Sequence, residues 1–202
     1  MPKQIILLTG DTEFPFLSEA LSPHNPSLEI LHANSGETLD RAVGKCDLSP
    51  TGVRLVCFSS NVIVPGKILD RLGGPAYNLH PGPPEYPGSH PDSFALYAGA
   101  TRFGATLHEM IAKVDAGPIV KVSEFDIPSS IDSLELAALA YQHIAKLFFE
   151  LAAYFATDDR PLPHINRQWA LRKTTNADFE RMKNFGDALS EEEKALRRRA
   201  FG

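Results

Sequence analysis

Residues 53–80 read VRLVCFSSNVIVPGKILDRLGGPAYNLH, and their punctuation decides the fold. VRLVCFS (53–59) is an apolar run of the length of a buried strand. Pro65 opens a helix carrying Ile68, Leu69 and Leu72, where its missing N–H costs nothing, and Gly73-Gly74 closes it. AYNLH (76–80) follows at once as the next strand. Upstream the alternation is the same. QIILLT (4–9) is a strand ended by Gly10, and Phe16, Leu17, Ala20 and Leu21 recur at helical intervals until SPHNPS (22–27). LEILHA (28–33) is again strand-like, and a weak helix runs from Thr38 to Lys45. Strand alternating with helix implies parallel pairing with right-handed crossovers, hence an α/β fold with an open, mostly parallel, Rossmann-like sheet.

The second half changes style. GATLHEMI (104–111) and PIVKVSEF (118–125) both alternate and flank what reads as a short turn, so they predict an antiparallel hairpin with Asp115 in its connection. Asp132 and Glu135 have capping-box spacing at the head of a long helix. Its core-facing residues are expected to be Leu134, Ala138, Tyr141, Ala145, Phe148, Ala152 and Phe155. After DDRPLP (158–163) the tail turns charged, with Trp169 as its expected anchor and SEEEKALRRRAF (190–201) as a last capped helix. The three arginines at 197–199 end a helix that starts with three glutamates, which suits the helix dipole.

Composition bounds the function. With 202 residues, 43% of them hydrophobic, the chain can enclose an ordinary core. No apolar run approaches the ~20 residues of a membrane span and no cleavable leader is read, so the expectation is a cytoplasmic protein with no membrane partner. Cys46 and Cys57 form no CxxC pair, which leaves neither a disulfide framework nor a cysteine zinc site. Twenty basic against 25 acidic side chains give a net charge of −5, which disfavours a nucleic-acid partner. Oligomeric state is not legible.

NLHPGPPEYPGSHP (78–91) packs five prolines into fourteen positions. Asn78 and His80 lie two apart, so they share one strand face and emerge at the carboxyl end, where open α/β sheets bind ligands. The prolines wall that place with little backbone entropy left to lose. An Asn amide can donate to a developing oxyanion, an imidazole can donate a proton to the same charge, and a carboxylate is the natural third member. His90 reads as structural or exposed. His80, His90, His108 and Asp115 lack compact metal-ligand spacing and there is no HExxH helix, so no metal is expected.

NLHPGPPEYPG (78–88), FALYAGA (94–100), GATLHEM (104–110) and DAGPIV (115–120), taken as an ordered set, resemble the formyltransferases that use 10-formyltetrahydrofolate. The resemblance is clear from about residue 53 to residue 155. It implies that Asn78 and His80 stabilise the oxyanion as the formyl carbonyl is attacked, that Asp115 pairs with His80 and helps deprotonate the amine, and that Thr106 and His108 back the site. It also implies folate contacts from Ser60, Asn61, Val62, Ile63 and Val64, with Met110 to Val114, including Ile111 and Val114, as the opposing wall. On this basis a catalytic domain is expected over 1–160 and a charged helical extension, packed on or near the core, over 161–202.

The departures are as specific. The family's loop after the histidine commonly runs Pro-Ser-Leu-Leu-Pro, whereas PGPPEYPG is one residue shorter and lacks the serine and leucines. LLTGDTEFPF (7–16) has no glycine-rich phosphate cradle, which disfavours a purine ribonucleotide acceptor, and about 40 residues after the long helix disfavour a tRNA-binding domain. The expectation is transfer to a small amine through GDTEF (10–14) and NSGE (34–37). A hydrolase, with water replacing the amine, and a non-catalytic folate-binding protein stay open.

Overall fold

The computed structural model describes residues 1–47, 53–184 and 189–202. Among these, the strands are β1 (Gln4–Leu8), β2 (Glu29–Ala33), β3 (Val53–Phe58), β4 (Ala76–His80), β5 (Arg102–Glu109) and β6 (Ile119–Asp126). The helices are α1 (Phe14–Leu21), α2 (Gly36–Lys45), α3 (Gly66–Leu72), α4 (Pro91–Tyr97), α5 (Ser133–Thr157), α6 (Asn176–Lys183) and α7 (Glu191–Phe201). They build one sheet in the order β2-β1-β3-β4-β5-β6. β1 to β4 are parallel, β5 runs against β4, and β6 runs against β5. The α/β fold is the one expected.

The period of two divides the sheet's side chains between two layers. Ile5, Leu7, Val56, Phe58, Tyr77 and Leu79 bury one face against α1 and α5. Ile6, Leu8, Leu55, Cys57 and Ala76 bury the other with α2 and α3. A third cluster joins α4, α5 and α7 through Ala95, Leu136, Ala140 and Phe201. Among the described residues no helix is long and apolar enough to cross a membrane.

Several expectations need correction. The β5–β6 connection is no short turn but residues 110–118, long enough to curl back over the sheet. On α5 the buried stripe starts with Leu136, Ala140, Ile144 and Leu147, while Leu134 is 79% exposed and Ala138 also faces out. Both rows step by three and four, and the one that wins is the one facing β5 and α4. The helices α4 and α6 were not anticipated, because α4 is seven residues long and α6 buries no side chain. The capping boxes at Asp132/Glu135 and the Ser190 cap on Glu193 N–H form as read.

One polar group is buried in the α5 layer. Arg54, 2% exposed, donates from Nη1 to the Tyr154 and Phe155 carbonyls at 3.0 Å each and from Nη2 to Arg160 O at 3.3 Å. The Tyr154 and Phe155 carbonyls lie in the last turn of α5, where intrahelical donors run out, and the Tyr154 carbonyl also accepts from the Asp158 N–H at 3.0 Å. The rings of Tyr77, Tyr154 and Phe155 lie 5.0–5.9 Å from its guanidinium carbon, so the cation is held by helix-end carbonyls and aromatic faces. Arg54→Leu should therefore cost about 3 kcal/mol, because it removes three charge-assisted hydrogen bonds that tie the end of α5 to the sheet. A urea midpoint unchanged from wild type would show that Arg54 does not hold α5 to the sheet.

Candidate active site

Strand register delivers the site. In the antiparallel β4–β5 pair Asn78 lies opposite His108 and His80 opposite Thr106, so the four side chains share one face. That is the face of Ala76 and Cys57, continued beyond α3, where the loop 110–118 replaces a helix. A register shift between Leu107 and His108, whose partners are Lys121 and Ile119, leaves Val120 as the extra residue of a bulge on β6 opposite the histidine. Asp115 enters from loop 110–118 with φ 41°, a left-handed backbone uncommon outside glycine, Asn and Asp.

These residues meet. His80 Nδ1 is 3.5 Å from Asp115 Oδ2, and His108 Nε2 is 3.4 Å from Asp115 Oδ1. All three are buried, at 4%, 3% and 4% exposure. The Gly88 N–H donates to Asp115 Oδ2 at 2.8 Å. His108 Nδ1 is 2.9 Å from the Glu109 carbonyl, which can only accept, so its proton sits there and Nε2 accepts from the Asn78 amide at 3.1 Å. His80 Nε2 likewise donates to the Tyr86 carbonyl at 3.1 Å. Thr106 Oγ1 donates to Gly82 O at 2.7 Å, pinning the proline-rich loop. At Gly82 a Cβ would lie 2.7 Å from both His80 Nε2 and the Pro91 ring, so only glycine lets the loop close on the imidazole.

The electrostatics follow from burial. Desolvation pushes His80 below its ordinary value, against the pull of Asp115. Desolvation also acts to raise Asp115, but the His108 contact, the His80 ring and the Gly88 N–H outweigh it and hold the carboxyl down, at about 2. Both histidine contributions need a proton on the nitrogen facing the carboxylate; with the rings neutral and bonded as described, the donor that Asp115 keeps is the Gly88 N–H. The resting site is one carboxylate facing two imidazoles, with His80 neutral.

The stretch 60–64, expected from resemblance to meet a folate, alternates. Ser60 Oγ accepts from Val62 N–H at 3.2 Å, Val62 packs on the core and Val64 is buried, while Asn61 and Ile63 point outward. Ile63, Ile111 and Val114 are 71%, 44% and 46% exposed. They come from two loops that touch, since a Cβ at Gly66 would lie 3.1 Å from Ala112 Cβ. Exposed apolar side chains on facing loops fit a flat heterocycle. Val64 can serve it only through its backbone.

Three parts of the site were not read from the sequence. The Tyr86 carbonyl and Gly88 N–H are backbone groups with no residue signature. Trp169, expected as an anchor of the tail, reaches the site itself: its ring centroid is 5.6 Å from His80 and 5.0 Å from His108, both edge to face. Its Nε1 donates to Gly117 O at 2.8 Å. His90 is structural, stacked on Phe179 at 3.8 Å and bonded to Asn176 at 3.1 Å.

Comparison with known proteins bears on the family and the fold. The formyl transferase family model matches residues 24–147, more than half of the chain. A methionyl-tRNA formyltransferase of Thermotoga neapolitana is 34% identical over 138 residues, covering 67% of this chain and 39% of that one. The chain spans about two fifths of the length of the curated relatives it matches. Among solved structures, a sugar N-formyltransferase from Shewanella superposes with a TM-score of 0.77 at 15% identity, covering 98% of this chain and 86% of that one. The formyltransferase PseJ from Anoxybacillus kamchatkensis, in complex with UDP-4,6-dideoxy-4-formamido-L-AltNAc and tetrahydrofolate, does so at 0.67 and 19%, covering 96% and 97%. These structural likenesses show a shared fold, and the match over residues 24–147 places the chain in the formyl transferase family.

Proposed function

We propose that the protein is an N-formyltransferase, moving the formyl group of 10-formyltetrahydrofolate to the amine of a small molecule. The observation that carries this is the convergence of His80 and His108 on the buried carboxylate of Asp115, with Asn78 bonded to His108, at the carboxyl edge of the sheet. The catalytic domain would span 1–160, with 161–202 as an extension lying against it. Free thiols at Cys46 and Cys57 suit a reducing, cytoplasmic setting.

The amine nitrogen attacks the formyl carbon, and the carbonyl electron pair moves onto oxygen. The second N–H of the Asn78 amide is placed to receive that charge, and His80 Nε2–H exchanges the Tyr86 carbonyl for it. As the intermediate collapses, the bond from the formyl carbon to N10 of the donor breaks. The amine gives up a proton and N10 takes one, leaving a formamide and tetrahydrofolate. The buried cluster can hold that proton in transit. His80 Nδ1 and Asp115 Oδ2 face each other as two acceptors, so one added proton turns that contact into N–H···O. The apolar side chains of Ile63, Ile111 and Val114 would cover the pterin, with Ser60, Asn61, Val62 and Val64 contributing backbone.

The acceptor side is the crevice after β1 and β2. Thr9 is buried and its Oγ1 has no hydrogen-bond partner among the described residues, and Asn34 Nδ2 donates to Asp11 Oδ1 at 2.7 Å. Thr9 and His80 end strands separated by β3, hence roughly 10 Å apart at ordinary strand spacing, a distance a sugar-sized amine can bridge. A nucleic-acid acceptor is less well served. The net charge is −5, Arg197 is bonded to Glu193, and Arg199 is bonded to the Ile131 and Ser129 carbonyls. Sugar amines are also the substrates named for the structural neighbours.

A panel of amino sugars and nucleotide-linked amino sugars, run beside charged initiator tRNA and a water-only control, tests the reading. Turnover of a small amine is expected. Efficient tRNA formylation with no small-amine turnover would overturn the acceptor class, and release of formate without amine would make the protein a hydrolase. Asn78→Ala and Asp115→Ala should each lower turnover by about 100-fold or more while folate-analogue affinity stays within a few-fold, since both act on transition-state charge. Unchanged turnover in both removes the mechanism. The pH profile has a definite sign. Because burial depresses His80, kcat/KM per unprotonated amine should stay level as pH falls through 6.5, the ordinary imidazole value, and decline only below it. An acid limb above 6.5 in that plot would contradict a neutral resting His80.

A further inference from the structure

Residues 161–175 lie outside the segment matched by the family model and form no helix or strand, yet they run directly over the site. Leu162 N–H donates to the Tyr77 hydroxyl and Ile165 N–H to Ile119 O, both at 2.8 Å. Ala170 N–H donates to Pro84 O at 2.9 Å and Thr174 N–H to Pro87 O at 3.1 Å, while Ser89 N–H donates to Thr174 O at 3.0 Å. The strap is thus stitched to the proline-rich loop at its middle and end. Between those stitches it lowers one large side chain, Trp169, onto both imidazoles.

From this placement we propose that Trp169 is a positioning residue of the formyl-transfer site. It fixes the His80 and His108 rings against Asp115 and seals them from water. The inference rests on the formyltransferase reading for its kinetic consequences but not for its geometry. One side chain reaches three parts of the site at once: two rings by edge-to-face contact and, through Nε1–H to Gly117 O, the loop that carries Asp115 two residues earlier. Edge-to-face packing constrains ring tilt as well as position. His108 is held at both nitrogens, by the Glu109 carbonyl and the Asn78 amide, whereas the Tyr86 carbonyl holds one nitrogen of His80 and leaves that ring to pivot about a single bond, so His80 is the ring that needs the indole most. Partly buried itself, Trp169 also closes one side of a pair of histidines that are nearly inaccessible.

Two variants and one spectroscopic signal separate a positioning role from a merely structural one. Trp169→Ala should lower kcat by about 100-fold, the cost of a displacement on the order of 1 Å, with folate-analogue affinity within a few-fold of wild type and the acid limb moved to higher pH as water reaches His80. Trp169→Phe keeps a ring over the imidazoles and loses the indole N–H, and should recover most of kcat and the wild-type pH profile. Trp169 is the chain's one tryptophan, so the emission of the intact protein reports on its neighbours. It should be quenched as the imidazoles gain a proton, and His80→Gln combined with His108→Gln should abolish the titration. Wild-type kcat and pH profile in a folded Trp169→Ala protein would overturn the proposal, as would an emission that does not change with pH. If wild type transfers no formyl group to any acceptor while the emission still titrates and loses its titration in the double variant, the functional reading fails and the positioning of the rings by Trp169 stands.

Discussion

The buried carboxylate of Asp115 is the contact on which the arrangement of the site depends. A buried anion must be satisfied by its surroundings or lose its charge, and here its partners come from separate pieces of chain. His80 ends β4, His108 lies on β5 opposite the β6 bulge, and Gly88 belongs to the proline-rich loop. Gly88 is in turn bridged to Thr174 of the strap. Four segments distant in sequence therefore meet around one group, with the Gly88 N–H as its donor at rest and the two imidazole nitrogens ready to take a proton beside it. The left-handed backbone of Asp115 is part of the same solution, because it turns the carboxylate inward from a loop that otherwise runs along the surface.

The charge state of the cluster follows from which atoms face which. Each imidazole gives its N–H to a backbone carbonyl, at Tyr86 for His80 and at Glu109 for His108. Each then presents its other nitrogen toward the carboxylate. The lone pair of His108 is satisfied by the Asn78 amide, whereas the lone pair of His80 is not satisfied by anything but a proton. Desolvation opposes that proton at rest, and the neighbouring carboxylate favours it. Competition of this kind makes a group responsive to a small change in its surroundings, such as an amine beginning to lose its proton nearby. Lys173 on the strap adds to the balance, since its ammonium, pushed down by burial and supported by Asp115, disfavours a second cation in the cluster.

Most of the sheet was legible because strand and helix alternate with distinct periods and are separated by Gly and Pro, as in Val53–His80. Asn78 and His80 could be placed on one face from their spacing alone. Asp115 and His108 could be joined to them only through resemblance, since nothing local shows that a connection between two strands will fold back over a third. The short helices α4 and α6 escaped for lack of a buried stripe long enough to show periodicity. The strap escaped for a different reason. Its conformation is set by hydrogen bonds to the proline-rich loop, Ile119 and Gly117, partners that tertiary structure supplies and that leave no repeat in the sequence. Trp169 could be recognised as an anchor by its size and its polar surroundings, but not by what it is anchored to.

The prolines of the loop 81–91 then have a chemical reason beyond stiffness. Pro81, Pro83, Pro84 and Pro87 bring carbonyls but no N–H groups. The loop's carbonyls are used: Gly82 O by Thr106, Pro83 O by Tyr86 N–H, Pro84 O by Ala170, Tyr86 O by His80 and Pro87 O by Thr174. Its remaining donors are few, and one of them, Gly88 N–H, goes to Asp115. A loop of ordinary composition pressed against this site would carry several more N–H groups, each needing a partner once buried and each able to compete for the carboxylate. Removing them leaves the Asp115 oxygens to the two imidazoles and one chosen amide, and spares the side-chain donors of Asn78 and His80 competition from backbone N–H groups on the face of the proposed site. The loop is rigid because the residue that deletes a donor also fixes φ. Electrostatic selection and preorganisation here come from the same substitution.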